Sequence, residues 1–182
     1  MTCIVAVSRG GRVVLGGDRA ISEESGLLTR TAVAKIFRVG DVLCGIAGAS
    51  RPGDIIQDAL LLNYTGNRLS LKALRRCIVP LIRNALGAAG YLWTPETTND
   101  EHDLQIWQLI MATTYGIFEI TETLEVHQVY DSYHAIGSGD KIAYGALYAS
   151  SAKTALKATK TALRAAARFD ASVRGPFDFL EL

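Results

Sequence analysis

The chain has no apolar run near the roughly 18 residues that a membrane-spanning helix requires, so no span is expected. It carries no excess of one charge: 19 Lys and Arg against 18 Asp and Glu leave a formal charge of +1. A nucleic-acid-binding surface is therefore not suggested. Cysteine is scarce and odd in number, at three, and Cys3, Cys44 and Cys77 have no metal-type spacing. Cys3 and Cys44 lie in apolar, strand-like runs and read as reduced, buried thiols, which fits a cytoplasmic protein. His102, His127 and His134 also lack ligand spacing, so no metal and no cofactor is expected. The start carries no basic region, and its apolar stretch, Cys3 to Val7, is too short for a signal peptide. There is no fixed-period repeat and no low-complexity tract.

What is present is an ordinary globular composition, 49% hydrophobic and 20% charged over 182 residues, which excludes disorder and predicts one domain spanning 1–182. Strand-like runs cover residues 3–8, 12–17, 33–39 and 42–47, with turns at Gly10-Gly11 and Gly40-Asp41. Their poor alternation predicts strands covered on both faces. Helical spacing follows over 54–62 and 71–89, with Ser70 as N-cap and Pro80 expected to kink or break the second helix. Residues 91–103 read as a loop, with Trp93 beside Pro95. Strands then recur over 104–113, 115–121, 126–130 and 133–136. Helices at 140–150 and 152–168 and a last strand at 177–182 complete the chain. Segregated strand and helix blocks predict an α+β fold with two central sheets and a helix pair on each outer face. Lys153, Lys157, Lys160, Arg164 and Arg168 form a basic face at helical spacing, read as a solvated face or a docking surface.

Thr2 is the leading chemical candidate. Removal of Met1 would leave an α-amine and a β-hydroxyl on one residue. An α-amine titrates near 7.7–8.0 and can accept the hydroxyl proton. One residue then supplies nucleophile and base. The plain alternative is a strand that happens to begin with threonine. Asp18 ends the second strand at Gly16-Gly17. Lys35 sits among Val33, Ala34, Ile36 and Phe37, where a cation is costly unless paired or turned outward. If the first four strands are neighbours, Thr2, Asp18 and Lys35 converge at one sheet end. There the ammonium would lower the pKa of the amine and hydroxyl, and the carboxylate would orient the ammonium.

These residues, with Gly45-Ile46-Ala47-Gly48, Ala135-Ile136-Gly137-Ser138-Gly139 and Val173-Arg174-Gly175-Pro176-Phe177-Asp178, resemble the proteasome β-subunit and HslV-type threonine peptidases. The likeness is to the proteasome-like proteins of bacterial and phage genomes. It implies the four-layer αββα sandwich of N-terminal-nucleophile (Ntn) hydrolases. It implies Thr2 as nucleophile, Lys35 and Asp18 as its charged support, the Gly45 N–H as oxyanion donor, and Ser138 and Asp170 beside the amine. By the same likeness, the edges Ala20-Ile21-Ser22 and Gly45-Ile46-Ala47 pair with an extended peptide. Ile21, Val33 and Leu43 then line an apolar pocket for the residue before the cut.

Three features depart from the pattern of the proteasome β-subunits. Val173 stands where a supporting serine is expected, with Ser172 one step early. Ala20 stands where many β-subunits carry a larger residue. The direct Met1-Thr2 start resembles the HslV type and implies that only methionine removal activates the site. The implied function is hydrolysis of unfolded polypeptides in a homo-oligomeric ring, with an ATP-dependent unfoldase as partner by analogy. The rival functions are a catalytically silent shell protein of the same fold and an Ntn amidase acting on a small amide.

Overall fold

The computed structural model describes residues 2–22, 28–64, 69–91 and 106–182. His102 and the Trp93–Pro95 loop lie outside the described residues. The first hairpin joins β1 (Ile4–Arg9) to β2 (Arg12–Asp18). Gly10 and Gly11, at φ 63° and 76°, form its two-residue turn, where two left-handed residues match the twist of the strands. A short hairpin follows, β3 (Ala20–Ser22) with β4 (Leu28–Arg30). Then come β5 (Ile36–Val39), β6 (Val42–Gly48) and helix α1 (Ser50–Asn63).

The next helical segment is built in three parts: α2 (Leu71–Ala73), a π turn (Leu74–Ile78) and α3 (Val79–Ala88). Ser70 caps it as the sequence predicts, its hydroxyl accepting the Ala73 N–H at 3.1 Å. Pro80 falls just inside α3. The Val79 N–H reaches back five residues to Leu74 O. The widened turn makes room for a ring that would otherwise meet the carbonyl four residues earlier.

Strands β7 (Trp107–Thr113), β8 (Gly116–Thr121), β9 (Val126–Gln128) and β10 (Tyr133–Ile136) follow. Helices α4 (Asp140–Tyr148) and α5 (Ala155–Phe169) and strand β11 (Phe177–Glu181) end the chain. The architecture is mixed α and β with antiparallel sheets. Of the two large sheets one runs β10-β1-β2-β11 and the other β5-β6-β7-β8-β9, while β3 and β4 form a separate two-stranded sheet. No helix among the described residues is long and apolar enough to cross a membrane.

Both sheets are covered on two faces, which explains the weak alternation of the sequence. On β1, Ile4 and Ala6 face β6 and β7 residues such as Leu43, Ile110 and Ala112 in a core between the sheets. Cys3, Val5 and Val7 face the opposite way, onto Ala143, Ala158, Ala162 and Leu163 of α4 and α5. The five-stranded sheet sets Cys44, Leu109, Met111 and Phe118 against Ile56 and Leu60 of α1 and Ile82 and Leu86 of α3. The central strands β1, β2, β6 and β7 thus bury both residue parities, because their side chains alternate between two apolar layers.

The expected strand at 33–39 is shorter than its pattern. Residues 31–35 leave the sheet and bend across the end of β2. Thr31 N–H donates to Arg19 O at 2.9 Å, and the Arg19 guanidinium donates to Ala32 O at 2.6 Å. The same guanidinium holds Asp178 of β11 through two bonds of 2.7 and 2.8 Å. Arg19 therefore ties the bend carrying Lys35 to the four-stranded sheet, a role that the sequence pattern does not reveal.

Candidate active site

Thr2 sits at the β1 end, 3% exposed, with polar groups converging on it from four segments. The Lys35 ammonium donates to Thr2 Oγ1 at 2.9 Å, Asp18 Oδ1 at 3.0 Å and Ala20 O at 2.5 Å. Three acceptors for three ammonium hydrogens suit the charged form. Asp18 is fully buried, at the end of β2. Besides Lys35 it accepts the Cys3 N–H on Oδ1 and the Ala20 N–H on Oδ2, each at 3.0 Å. One carboxylate thus fixes the residue after Thr2, the start of β3 and the lysine. Burial draws the Lys35 pKa below the usual lysine range, while the Asp18 charge and hydrogen bond oppose that pull. Burial, reinforced by Asp18, pushes the neighbouring Cys3 thiol up to about 12, which keeps it protonated near neutral pH.

A second line of groups reaches the Thr2 nitrogen. Thr2 N–H donates to Ser138 Oγ at 3.3 Å, Ser138 Oγ lies 2.9 Å from Ser172 Oγ, and Ser172 Oγ donates to Asp170 Oδ1 at 2.6 Å. Since the Ser172 proton goes to Asp170, Ser172 accepts from Ser138, and the donors all run from Thr2 toward the carboxylate. A competing Ser138 contact to Thr2 O measures 3.3 Å. Partial burial would raise the Asp170 pKa, but the bonds from Ser172 and Ser138 outweigh it and hold it below the usual carboxylate range.

Ser172 corrects one sequence expectation. The supporting serine is not missing. The turn after α5 aims Ser172 at Ser138, while Val173 is fully buried against the helices. Sequence spacing misses this because a one-residue offset in a turn re-aims side chains freely.

Strand parity corrects three more. Leu43, Gly45 and Ala47 share one face of β6, and that face meets the inter-sheet core. Leu43 is fully buried there and does not line the cleft. Ala47, 2% exposed, packs in the same layer. Ile46, of opposite parity, is the β6 side chain that faces the cleft.

The backbone follows the same alternation. Ile46 N–H bonds Lys35 O at 3.1 Å on the β5 side, and Ala49 N–H bonds Ile106 O at 2.9 Å on the β7 side. Gly45 N–H therefore points to its β7 partner Ile110, away from Thr2. Gly48 N–H points to the β5 side, past the point where β5 has ended. Gly48 has φ +109° and lines the cleft with Thr2. A glycine closing a strand, rather than one within it, was the available signal.

The cleft has a volume of about 620 Å³. Ile21, Val33, Ile46 and Ile106 supply apolar wall, and Ser50, Asp54 and Gln57 the polar side. Ala20, fully buried, forms part of the wall beside Lys35. Ile21 and Val33 are 44% and 64% exposed, open to a ligand. Ser22 pairs with Leu28 in the short hairpin. Among the described residues no three His, Cys, Asp or Glu gather in a metal-like cluster.

No family model matches this sequence, and no curated protein matches it either. Solved structures do match. BPH of Thiobacillus denitrificans in complex with epoxomicin superposes with TM-score 0.78 at 22% identity, covering 99% of this chain and 97% of that one. A second BPH structure from that organism gives 0.76 at 22% identity, with the same coverage. Eukaryotic HslV from Trypanosoma brucei gives 0.72 at 22% identity, covering 99% and 98%. The fold of this chain is that of BPH and HslV, in agreement with the resemblance carried by its sequence motifs.

Proposed function

We propose that this chain is a single-domain Ntn hydrolase of four-layer αββα build, a threonine endopeptidase that cleaves unfolded polypeptides once Met1 is removed. The observation that carries this reading is the Lys35 ammonium held 2.9 Å from Thr2 Oγ1 and 3.0 Å from a fully buried Asp18. The Thr2 hydroxyl attacks the scissile carbonyl carbon, and its proton passes to the Thr2 amine. Gly48 N–H faces the oxyanion, and the amine then protonates the departing peptide nitrogen. Water cleaves the resulting ester by the same route, releasing the acid and restoring the hydroxyl. The Ser138–Ser172–Asp170 line orients the amine so that its lone pair faces the hydroxyl.

Backbone edges at Ala20–Ser22 and Gly48 suit an extended peptide added strand-wise. Such pairing reads little sequence, so a closed homo-oligomeric ring in the cytoplasm, fed by an ATP-dependent unfoldase, would confine it to unfolded chains. Ile21, Val33 and Ile46 favour an apolar residue before the cut. Leu43→Ala tests that pocket assignment. It should cost about 2–5 kcal/mol in chemical denaturation, as for a large-to-small core change. The order of preference in a peptide library should stay unchanged.

Intact mass, N-terminal sequencing and labelling by a peptide vinyl sulfone test the function itself. The expected protein begins at Thr2 and carries one adduct, mapped to Thr2. Retained Met1 with no adduct would instead identify a silent shell protein. Cleavage of small amides alone would identify an amidase. Epoxomicin, bound in the BPH structure, is a second probe and should protect Thr2 from the label.

A further inference from the structure

A polar link joins the two sheets beside the site. His134 of β10 lies in the four-stranded sheet, while Glu119 of β8 and Gln108 of β7 lie in the other. His134 Nε2 meets Glu119 Oε2 at 2.9 Å, with both side chains largely buried, 12% and 14% exposed. Gln108 Nε2 donates to Glu119 Oε1 at 3.0 Å, and Gln108 Oε1 accepts the Gly137 N–H at 3.4 Å. At the far end His134 Nδ1 bonds the Tyr144 hydroxyl of α4. Both oxygens of Glu119, both ring nitrogens of His134 and both ends of the Gln108 amide are used. Among the described residues the core between the sheets is built of apolar side chains such as Ile4, Leu15, Leu43 and Ile110, and an apolar filling here would avoid the desolvation that a polar line incurs. What the line adds is direction.

The line ends on the loop that holds Thr2. Gly137 has φ +92°, and a Cβ there would lie 2.3 Å from Thr2 O. Ser138 carries the Thr2 N–H, and Gly139 N–H donates to Thr2 O at 3.4 Å. The loop is pinned by Gln108 at Gly137 and, beyond its end, by Tyr144 through His134. We propose that Gln108, Glu119, His134 and Tyr144 form a hydrogen-bonded brace that positions the Gly137–Gly139 loop against Thr2. Gln108, Glu119 and His134 are thus positioning residues, and their effect on cleavage rests on the function proposed above. The His134 hydrogen bond, more than its charge, holds the Glu119 pKa below the usual range against partial burial. The other titratable groups around the line are His127, paired with Glu119 in register, Tyr133 with its ring edge-on to Tyr144, and Asp131 and Asp140 near Tyr144.

The test uses the full chain in its native assembly, with peptide cleavage and hydrogen exchange of a fragment spanning 135–140 as readouts. Gln108→Leu should lower kcat about tenfold with KM within about twofold, the pattern of a lost transition-state constraint. The fragment should exchange faster. Gln108→Glu places two carboxylates against each other, and they rebuild the bond only by sharing a proton. Its kcat relative to wild type should therefore rise as pH falls from about 8 to about 6, a trend that no purely structural role produces. Tyr144→Phe, which removes one oxygen and keeps the ring, should fold normally and still speed exchange of the fragment. Unchanged exchange in Gln108→Leu and Tyr144→Phe, or a pH-independent Gln108→Glu ratio, overturns the brace. A wild-type protein that cleaves no peptide overturns the nucleophile reading alone, and exchange of the fragment then decides the brace by itself.

Discussion

Lys35→Met is expected to reduce peptide cleavage by about 10³-fold or more, the scale of losing a member of a nucleophile–base unit. It should also destabilise the fold by about 3 kcal/mol, because a buried carboxylate then loses its cation. Asp18 is 0% exposed and keeps only its backbone donors from Cys3 and Ala20 once the ammonium is gone. Thr2→Ala should be equally inactive but close to wild type in denaturant midpoint, which separates chemistry from folding. The double variant Asp18→Asn, Lys35→Met should recover part of the stability and none of the activity.

The pH profile carries a signed corollary. In the proposed mechanism Lys35 acts as an ammonium, so activity should fall as pH rises through its pKa. Burial already lowers that pKa, and Asp18 pushes it back up. Asp18→Asn removes the upward push, so the alkaline limb of kcat/KM should move to lower pH. An alkaline limb that stays in place or moves up would mean that another group controls it.

Gly48→Ala should lower cleavage by about 10²–10³-fold, the scale of a lost oxyanion donor. A Cβ at Gly48 would stand 2.3 Å from Ile106 O, at a φ of +109° that L side chains avoid. The backbone must shift, and the N–H beside Thr2 shifts with it. Gly45→Ala is the matched control. Its Cβ would meet the Ile4 side chain at 2.7 Å between the sheets. Overpacking there costs about 1–3 kcal/mol and should leave the cleavage rate per folded molecule unchanged. Specific activity of the folded fraction and the denaturant midpoint together resolve the pair. Equal losses of activity at the two glycines would return the oxyanion role to Gly45.

Several expectations were legible in the sequence for physical reasons. A lysine amid Val33, Ala34, Ile36 and Phe37 needs a partner, and Asp18 at a glycine-flanked strand end supplies one. The two-sided apolar strands already required cover on both faces, and the layered cores around β1 and β6 provide it. The glycine turn at 10–11 and the Ser70 cap are local chemistry, written within four residues of chain.

Other features were decided only by folding. Which parity of β6 faces the cleft depends on which sheet face packs on which neighbour. A uniformly apolar strand does not encode that choice, so Leu43 read as the pocket side chain of β6 where Ile46 takes that place. Ser172 reaches Ser138, and Arg19 reaches Asp178, across 34 and 159 residues of chain. Contacts at that separation exist only once the sheets and helices are stacked, because hydrogen-bond direction is set by three-dimensional placement and not by spacing. By itself the sequence determined which groups had to be paired and which faces had to be covered. Beyond the Lys35–Asp18 pair, the tertiary structure decided who pairs with whom, since directional bonds between distant segments require both sheets to be in register first.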